Sequence, residues 1–266
     1  MSDKNIIYQQ IRNATVKIKY HGLTFLVDPY LVPKGASGCF AISPKPEMKK
    51  IKNPMNDLPM PIKEIIEGVD AVIVTHTHGD HWDEDAAKNI PLNIPIFVQN
   101  NFDKNIIQSQ WFKDVRIVDI DTPFKGITIT KNEGKHGTDD VLRHFEKGFE
   151  ICMGFILRAS EEKTIYFTGD TIWTKNFEIA VEKYEPDYIA MNAALPLYEG
   201  MEGSSTMGQE DVKKCCDMYK KPKVIVTHLD SMAHCFCTSE TIKKFVQENN
   251  ISDRVIIPKD GETLTL

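Results

Sequence analysis

The densest group of reactive side chains in this chain is a histidine cluster. His76, His78 and His81, together with Asp80, fall within six consecutive positions. Imidazole nitrogens and carboxylate oxygens are the ligands that zinc and similar divalent cations prefer. Only 8 histidines occur in 266 residues, so composition alone does not explain this spacing. The cluster therefore predicts a metal site rather than a polar surface turn.

Further candidate ligands follow predicted strands in the same way. An apolar run over 71–74 precedes the histidine cluster and predicts a buried strand. His136 follows a predicted strand and stands beside Gly137, and Asp170 and His228 each come at the end of an apolar run. Because the ends of neighbouring strands meet at one edge of a sheet, we expect these side chains to converge.

The elements that must position these residues can be predicted from the pattern of apolar residues. Predicted strands cover 15–20, 23–27, 71–75, 96–98, 115–119, 126–130, 151–158, 163–168, 188–191, 224–227 and 255–258. Predicted helices cover 62–67, 83–89, 106–111, 175–184, 209–219 and 239–247. Each half consists of strands followed by strand–helix alternation, which fits a four-layer αββα sandwich of the α/β class. The proline-rich segment 33–61 is predicted to be a long irregular loop, of the kind that covers a functional site.

Composition excludes several classes of protein. The apolar share is 41%, enough for a sizeable core, and the net charge is −6 with a pI of about 5.8. No stretch rich in Lys and Arg stands out, which argues against a nucleic-acid ligand. No apolar run reaches the roughly eighteen residues of a membrane span. The start of the chain, 1–5, lacks an apolar signal core, so we expect a cytoplasmic protein.

The chain contains 6 cysteines, none of them in a C-x-x-C pair. In a reducing compartment they are expected to be free thiols. Cys235 and Cys237 lie next to His234, which would suit a metal site, but their alternation also suits one side of a strand or turn. We favour the structural interpretation for this pair.

Four segments resemble, in order, the motifs of the metallo-β-lactamase-fold hydrolases, and the resemblance extends over about residues 14–261. These segments are THTHGDH at 75–81, GKHG at 134–137, FTGD at 167–170 and VTH at 226–228. Other features are most similar to the branch that includes the L-ascorbate-6-phosphate lactonase-like proteins. They are LVDP at 26–29, Asn192, and His228 followed by His234 and Cys235.

The resemblance implies a single αββα domain over 1–266 with two divalent metal ions at one edge of its two sheets. Zinc is the first choice, and manganese or iron would also suit these ligand types. The implied ligands are His76, His78 and His136 for the first ion, Asp80, His81 and His228 for the second, and Asp170 bridging both.

The resemblance also implies how a reaction would proceed. A water activated between two ions would attack a carbonyl carbon or a phosphorus. Asp80 or Asp170 would orient that water or pass on its proton, so both are predicted to be catalytic. Asp28, at the end of a strand, is predicted to hold a ligating imidazole from behind. Candidate substrate contacts are His234, Trp173, Arg143 and His144.

The favoured function is hydrolysis of a small ester, lactone or phosphoester, and lactonase-like chemistry is preferred on the resemblance alone. One alternative is a phosphodiesterase or nuclease of the same fold. Another is a non-hydrolytic redox module that binds metal. The expected partner is a small-molecule substrate, without membrane or nucleic acid, and a homo-oligomer stays open.

Overall fold

The computed structural model describes residues 5–144 and 151–266, so residues 1–4, which bear on the signal segment, lie outside it. The strands of the described part are β1 (Ile7–Arg12), β2 (Thr15–Tyr20), β3 (Leu23–Val27), β4 (Ser37–Cys39), β5 (Lys52–Asn53), β6 (Ala71–Val74), β7 (Ile96–Val98), β8 (Val115–Ile117), β9 (Thr122–Phe124), β10 (Ile127–Lys135), β11 (Ile151–Arg158), β12 (Ile165–Phe167), β13 (Tyr188–Asn192), β14 (Lys223–Thr227), β15 (Val255–Ile256) and β16 (Thr263–Thr265). Its helices are α1 (Ile62–Ile66), α2 (Glu84–Asn89), α3 (Asn101–Ser109), α4 (Asp139–Leu142), α5 (Lys175–Tyr184), α6 (Gln209–Met218) and α7 (Ser239–Glu248).

The strands form two large mixed sheets. The first has the order β16-β1-β2-β3-β6-β7-β8, and the second has the order β15-β14-β13-β12-β11-β10-β9. In each sheet an antiparallel part is followed by parallel strands, from β3 to β8 in the first and from β12 to β15 in the second. Strands β4 and β5 form a separate small hairpin.

Three apolar layers hold the two sheets and the helices together. The central layer lies between the sheets, where for example Phe155 and Phe167 stack at 4.7 Å. On the outer face of the second sheet, apolar side chains pack against α5, α6 and α7. On the outer face of the first sheet they pack against α1, α2 and α3. The predicted four-layer αββα sandwich is confirmed.

The element bounds agree with the predictions in most places. The helix predicted over 106–111 is wrong in its bounds, because α3 begins earlier, at Asn101. The Asn100 side chain caps this start by accepting a hydrogen bond from the backbone amide of Asp103 at 3.0 Å. Strands β1, β9 and β16 and helix α4 were not predicted, and β10 runs further than expected, up to the residue before His136. The segment 33–61, predicted as a loop, contains β4, β5 and a 3-10 turn.

The strand ends carry the candidate ligands, and the turn after β12 is the most constrained of them. Gly169 has φ +62°, a region that side chains rarely adopt. A Cβ at this position would lie 2.5 Å from the carbonyl oxygen of Met153 in the neighbouring strand. The sharp turn therefore needs glycine, and it fixes where the next residue, Asp170, begins.

We predict that Gly169→Ala destabilises the fold by about 2–4 kcal/mol, because strain at positive φ adds to a clash with backbone. Urea unfolding of the metal-free protein would measure this change. Gly22→Ala is the matched control: Gly22 also has positive φ, but no atom lies within 4 Å of the position that a Cβ would occupy there. Its cost should stay near 1 kcal/mol, and equal losses for the two variants would contradict the packing argument.

Candidate metal centre

Seven side chains from both sheets meet at one edge of the sandwich. They form three groups in which the ligand atoms lie within 4.8 Å of one another. The groups are His76, His78 and His136; His76, His81 and Asp170; and Asp80, His81 and His228. All seven residues that the sequence pointed to are thus brought together.

The distances within this cluster are short. His78 Nδ1 lies 2.9 Å from His76 Nε2 and 3.0 Å from His136 Nε2. In the third group, the Nε2 atoms of His81 and His228 are 3.2 Å apart. Asp80 Oδ2 lies 3.2 Å from His228 Nε2. Each of these atoms lies near more than one other candidate ligand atom, so they do not form ordinary hydrogen-bonded pairs.

Asp170 lies between the first and the third of these groups. Its Oδ2 is 3.2 Å from His81 Nε2, 3.4 Å from His228 Nε2 and 3.8 Å from His136 Nε2. The other carboxylate oxygen, Oδ1, accepts a hydrogen bond from the Asn192 amide at 2.7 Å. One oxygen is thus held by the protein while the other faces imidazoles from both groups.

The outward ring nitrogens show how the imidazoles are protonated. His136 Nδ1 faces the backbone carbonyl of Ser205 at 3.1 Å, and His81 Nδ1 faces the Asp28 carboxylate at 3.0 Å. Both partners only accept hydrogen bonds, so both Nδ1 atoms must donate. When these rings are neutral, each Nε2 therefore carries a lone pair that points into the cluster.

The same argument applies to His76 through a relay. The Thr75 hydroxyl donates to Asp28 Oδ2 at 2.8 Å and lies 3.1 Å from His76 Nδ1. Since its proton is already used, the hydroxyl accepts from His76. Asp28, the residue predicted to hold a ligating imidazole from behind, thus contacts His81 directly and His76 through Thr75.

This donor set fits divalent cations. Lone pairs of His76 and His136 face the same nitrogen of His78, which can carry no more than one proton. Nitrogens bound to one tetrahedral zinc at 2.0–2.1 Å would be about 3.3 Å apart, close to the separations observed. A cation between these three nitrogens would accept the lone pairs that hydrogen bonding leaves facing one another without a proton between them.

Electrostatics divide the cluster into neutral and charged parts. Burial, and then the neighbouring His136, lower the pKa of His78 to about 3, so that it is neutral at pH 7. Burial alone would also lower the pKa of His81, but the carboxylates of Asp170 and Asp28 outweigh it and raise that pKa to about 10. Burial would raise the pKa of Asp170, yet its histidine neighbours hold it well below its ordinary value. Asp170 is thus ionised and available to a cation.

Some supporting residues carried no recognisable signal in the sequence. Asn13, in the turn between β1 and β2, donates to the backbone oxygen of Asp80 at 3.0 Å. The backbone carbonyl of Asn13 accepts a hydrogen bond from the backbone amide of His228 at 3.0 Å. Asn13 therefore links the histidine cluster to the end of β14. A lone asparagine in a hairpin turn resembles an ordinary turn residue, so only the structure shows this role.

A cavity of about 590 Å³ opens onto the ligand cluster. Its walls come from the segment around Phe40, from residues near Tyr198 and from residues near Met232. Among the described residues that line it, none is Lys or Arg. The surface that would face a substrate is therefore largely apolar and aromatic.

Two of the four candidate substrate contacts line the cavity and two do not. His234 and His144 line the cavity. Trp173 does not: it packs on Phe177 in the outer layer at 4.7 Å. Arg143 pairs with Asp140 at the surface and also does not line the cavity. Both follow ligand segments in sequence, but the chain there turns outward into helices, which explains why proximity in sequence misleads.

Comparisons with known proteins agree with this geometry. A family model described as a beta-lactamase superfamily domain matches residues 25–229. The UPF0173 protein YddR of Bacillus subtilis (strain 168) is 36% identical over 96% of this chain and 98% of its own length. These findings confirm the predicted superfamily.

Two solved structures are similar over almost their whole length. One is described as "a possible metal-dependent hydrolase from Veillonella parvula DSM 2008", with 39% identity, a TM-score of 0.92, and coverage of 98% of this chain and 99% of that chain. The other is an isothiocyanate hydrolase from Delia radicum gut bacteria, with 35% identity, a TM-score of 0.92 and the same coverage. None of these relatives is described as a lactonase, so the lactonase-like placement stays a prediction. No helix of the described residues is long and apolar enough to cross a membrane.

We predict that His78→Ala lowers the bound metal by at least one ion per chain and abolishes hydrolysis. His78 lies in a loop rather than in an apolar layer, so the unfolding midpoint of the metal-free protein should change little. Elemental analysis and urea unfolding would measure the two effects. A variant with full metal content and full turnover would contradict the ligand assignment.

We predict that Asp28→Asn weakens metal binding about 10–100-fold. The new amide nitrogen cannot accept from His81 Nδ1, which would favour the tautomer with a proton on the inward Nε2. Competition with a chelating dye would measure the affinity.

Asp103→Asn is the matched control for this variant. Asp103 is buried and its Oδ1 accepts from both the backbone and the hydroxyl of Thr77, while its Oδ2 has no partner among the described residues. The asparagine would keep Oδ1, so metal affinity should be unchanged. Equal weakening in both variants would contradict the tautomer argument.

Proposed function

The chain belongs to the beta-lactamase superfamily and to the UPF0173 family, and from this membership we propose that it hydrolyses a small uncharged substrate at two divalent metal ions. That the chain is a metal-dependent hydrolase follows from its relatives. The observation that carries the proposal is the convergence of five imidazoles and two carboxylates beneath one cavity.

We assign the ligands as the groups in the structure suggest. His76, His78 and His136 would hold one ion, Asp80, His81 and His228 the other, and Asp170 would contact both. Nitrogen and carboxylate ligands suit zinc, which we take as the first choice, and also manganese or iron. When bound, such ions lower the pKa of a water and polarise the substrate.

The protein's own residues hold the remaining parts in position. Asn192 fixes one oxygen of Asp170, which leaves the other directed at the imidazoles. Asp80 is held through its backbone by Asn13, and its side chain is 18% exposed to the cavity side of the cluster. We assign Asp80 to accept a hydrogen bond from the attacking water, and Asp170 to orient it.

The walls of the cavity favour an uncharged substrate over a phosphoester. A phosphate group loses its hydration on entering a cavity and needs a fixed positive charge in return. The described lining offers no Lys or Arg, so the ions would have to balance the whole charge. Esters and lactones, with a neutral electrophilic carbon, match the apolar and aromatic walls. The phosphodiesterase and nuclease alternative is therefore disfavoured.

Isothiocyanates are the second candidate class, supported by the description of the similar hydrolase from Delia radicum gut bacteria. An isothiocyanate is small and uncharged, and its central carbon is electrophilic. Addition of one water to R–N=C=S forms a C–O bond. Cleavage of the C–N bond then gives R–NH₂ and O=C=S, so all atoms balance without an oxidant or reductant.

We predict that the zinc-loaded protein turns over benzyl isothiocyanate, phenyl acetate or γ-butyrolactone at least about tenfold faster than bis(p-nitrophenyl) phosphate. Elemental analysis should show about two divalent ions per chain, and removal of metal by a chelator should abolish turnover until zinc is restored. Faster cleavage of the phosphodiester would support the nuclease alternative. Metal binding without turnover of any of the four compounds would instead support a redox module.

Two broader predictions accompany this function. We infer that 1–266 acts as one domain, because the central apolar layer includes side chains from Ile6 near one end to Leu266 at the other. A cytoplasmic location remains a prediction, and the oligomeric state stays open. Gel filtration with light scattering would measure the oligomeric state.

A further inference from the structure

We propose that His234 binds the substrate by donating a hydrogen bond from ring Nε2 to the heteroatom that leaves the attacked carbon. This inference rests on the proposed hydrolytic function and adds a residue to it that is not a metal ligand. Its basis is the position of the ring in the cavity and the environment of its two nitrogens.

His234 shares the cavity with the metal cluster. It lines the same space as Asp80, Asp170 and His228, and the whole residue is 7% exposed. It enters the cavity without taking part in any of the ligand groups, so its role need not be that of a metal ligand.

The ring is held rigidly by an aromatic stack. Phe40, from the segment that follows β4, lies over it with ring centroids 3.8 Å apart and planes 15° apart. Tyr198 lies against it with centroids 5.9 Å apart. The backbone is fixed as well, since the next-door amide of Ala233 donates to the Asn53 side chain at 2.9 Å. Such a ring needs little reorganisation to bind a substrate.

The two nitrogens of the ring differ in their surroundings. Nδ1 is enclosed and has no hydrogen-bond partner among the described residues. A proton on the enclosed Nδ1 would be buried without an acceptor, which costs more free energy than a proton on Nε2. The proton therefore belongs on Nε2. Nε2 is not among the enclosed atoms, and it is the nitrogen that the cavity can reach.

The ring is neutral under physiological conditions. Burial lowers the pKa of His234 to about 4, and nearby carboxylates and histidines add smaller effects of opposite sign to one another. A neutral ring with one available N–H matches an uncharged acceptor such as an ester oxygen or the nitrogen of an isothiocyanate. As the bond from carbon to this heteroatom breaks, negative charge grows on the heteroatom. A hydrogen bond there strengthens in the transition state, which lowers the barrier.

The test is His234→Phe, which keeps the stack on Phe40 and removes both nitrogens. With zinc-loaded protein and a series of substituted phenyl acetates, we expect kcat to fall about tenfold while KM changes less. The loss should grow as the leaving phenol becomes less acidic, because a poor leaving group depends most on the hydrogen bond. Metal content should stay that of the wild type. His234→Gln, which retains an N–H donor, should recover part of the rate.

The matched control is His21→Gln. His21 lies in the turn between β2 and β3 and faces Glu162 at 3.3 Å, outside the cavity. Its kinetics should equal those of the wild type. If the wild type is active and His234→Phe matches it in kcat and in leaving-group dependence, the His234 proposal is overturned while the hydrolytic function stands. If the wild type turns over none of the substrates, the hydrolytic function fails first.

A second measurement does not depend on activity or on the folding of a variant. Long-range ¹H–¹⁵N NMR of the zinc-loaded wild type distinguishes the two tautomers of each histidine. We expect the His234 signals of a neutral ring with the proton on Nε2 at pH 7. A proton on Nδ1, or a ring charged at pH 7, would overturn the proposal whatever the kinetics show.

Discussion

The central constraint on this molecule is the crowding of lone pairs at one edge of the sandwich. Several imidazole nitrogens lie about 3 Å from one another, and the outward nitrogens of three rings already donate to the protein. Around His78, hydrogen bonding cannot resolve this arrangement, because the single proton that its Nδ1 can carry cannot serve the lone pairs of both His76 and His136. The hydrogen bonds around the cluster hold the rings in place although these lone pairs repel one another.

Asp28 makes the largest contribution to holding the rings in position. It accepts from the Thr75 backbone at 2.7 Å, from the Thr75 hydroxyl at 2.8 Å and from His81 at 3.0 Å. One buried carboxylate at the end of β3 thus fixes both the start of the ligand loop and the orientation of two rings. Since the two sheets contribute different ligands, the packing of the central apolar layer also sets the distances within the cluster.

The convergence of the candidate ligands could be predicted from the sequence because each follows a strand whose apolar pattern is clear. The αββα order could be predicted for the same reason, since buried strands and amphipathic helices leave strong periodic signals. Asn13 and Ser205 could not, because they act through single hydrogen bonds that have no sequence spacing. Trp173 was misplaced because nearness to Asp170 in sequence says nothing about the direction in which the chain turns next.

The residues of the cavity wall could not be predicted from the sequence for a different reason. Phe40 and His234 are almost two hundred residues apart, and neither lies in a regular element near the ligands. Their stack depends on contacts such as the hydrogen bond from Ala233 to Asn53, which joins the hairpin segment to the loop after β14. The strand ends therefore determine the chemistry, which many relatives can share, while the loops determine what enters. A change of substrate would then need only new residues in the wall, with the ligand cluster and the two sheets unchanged.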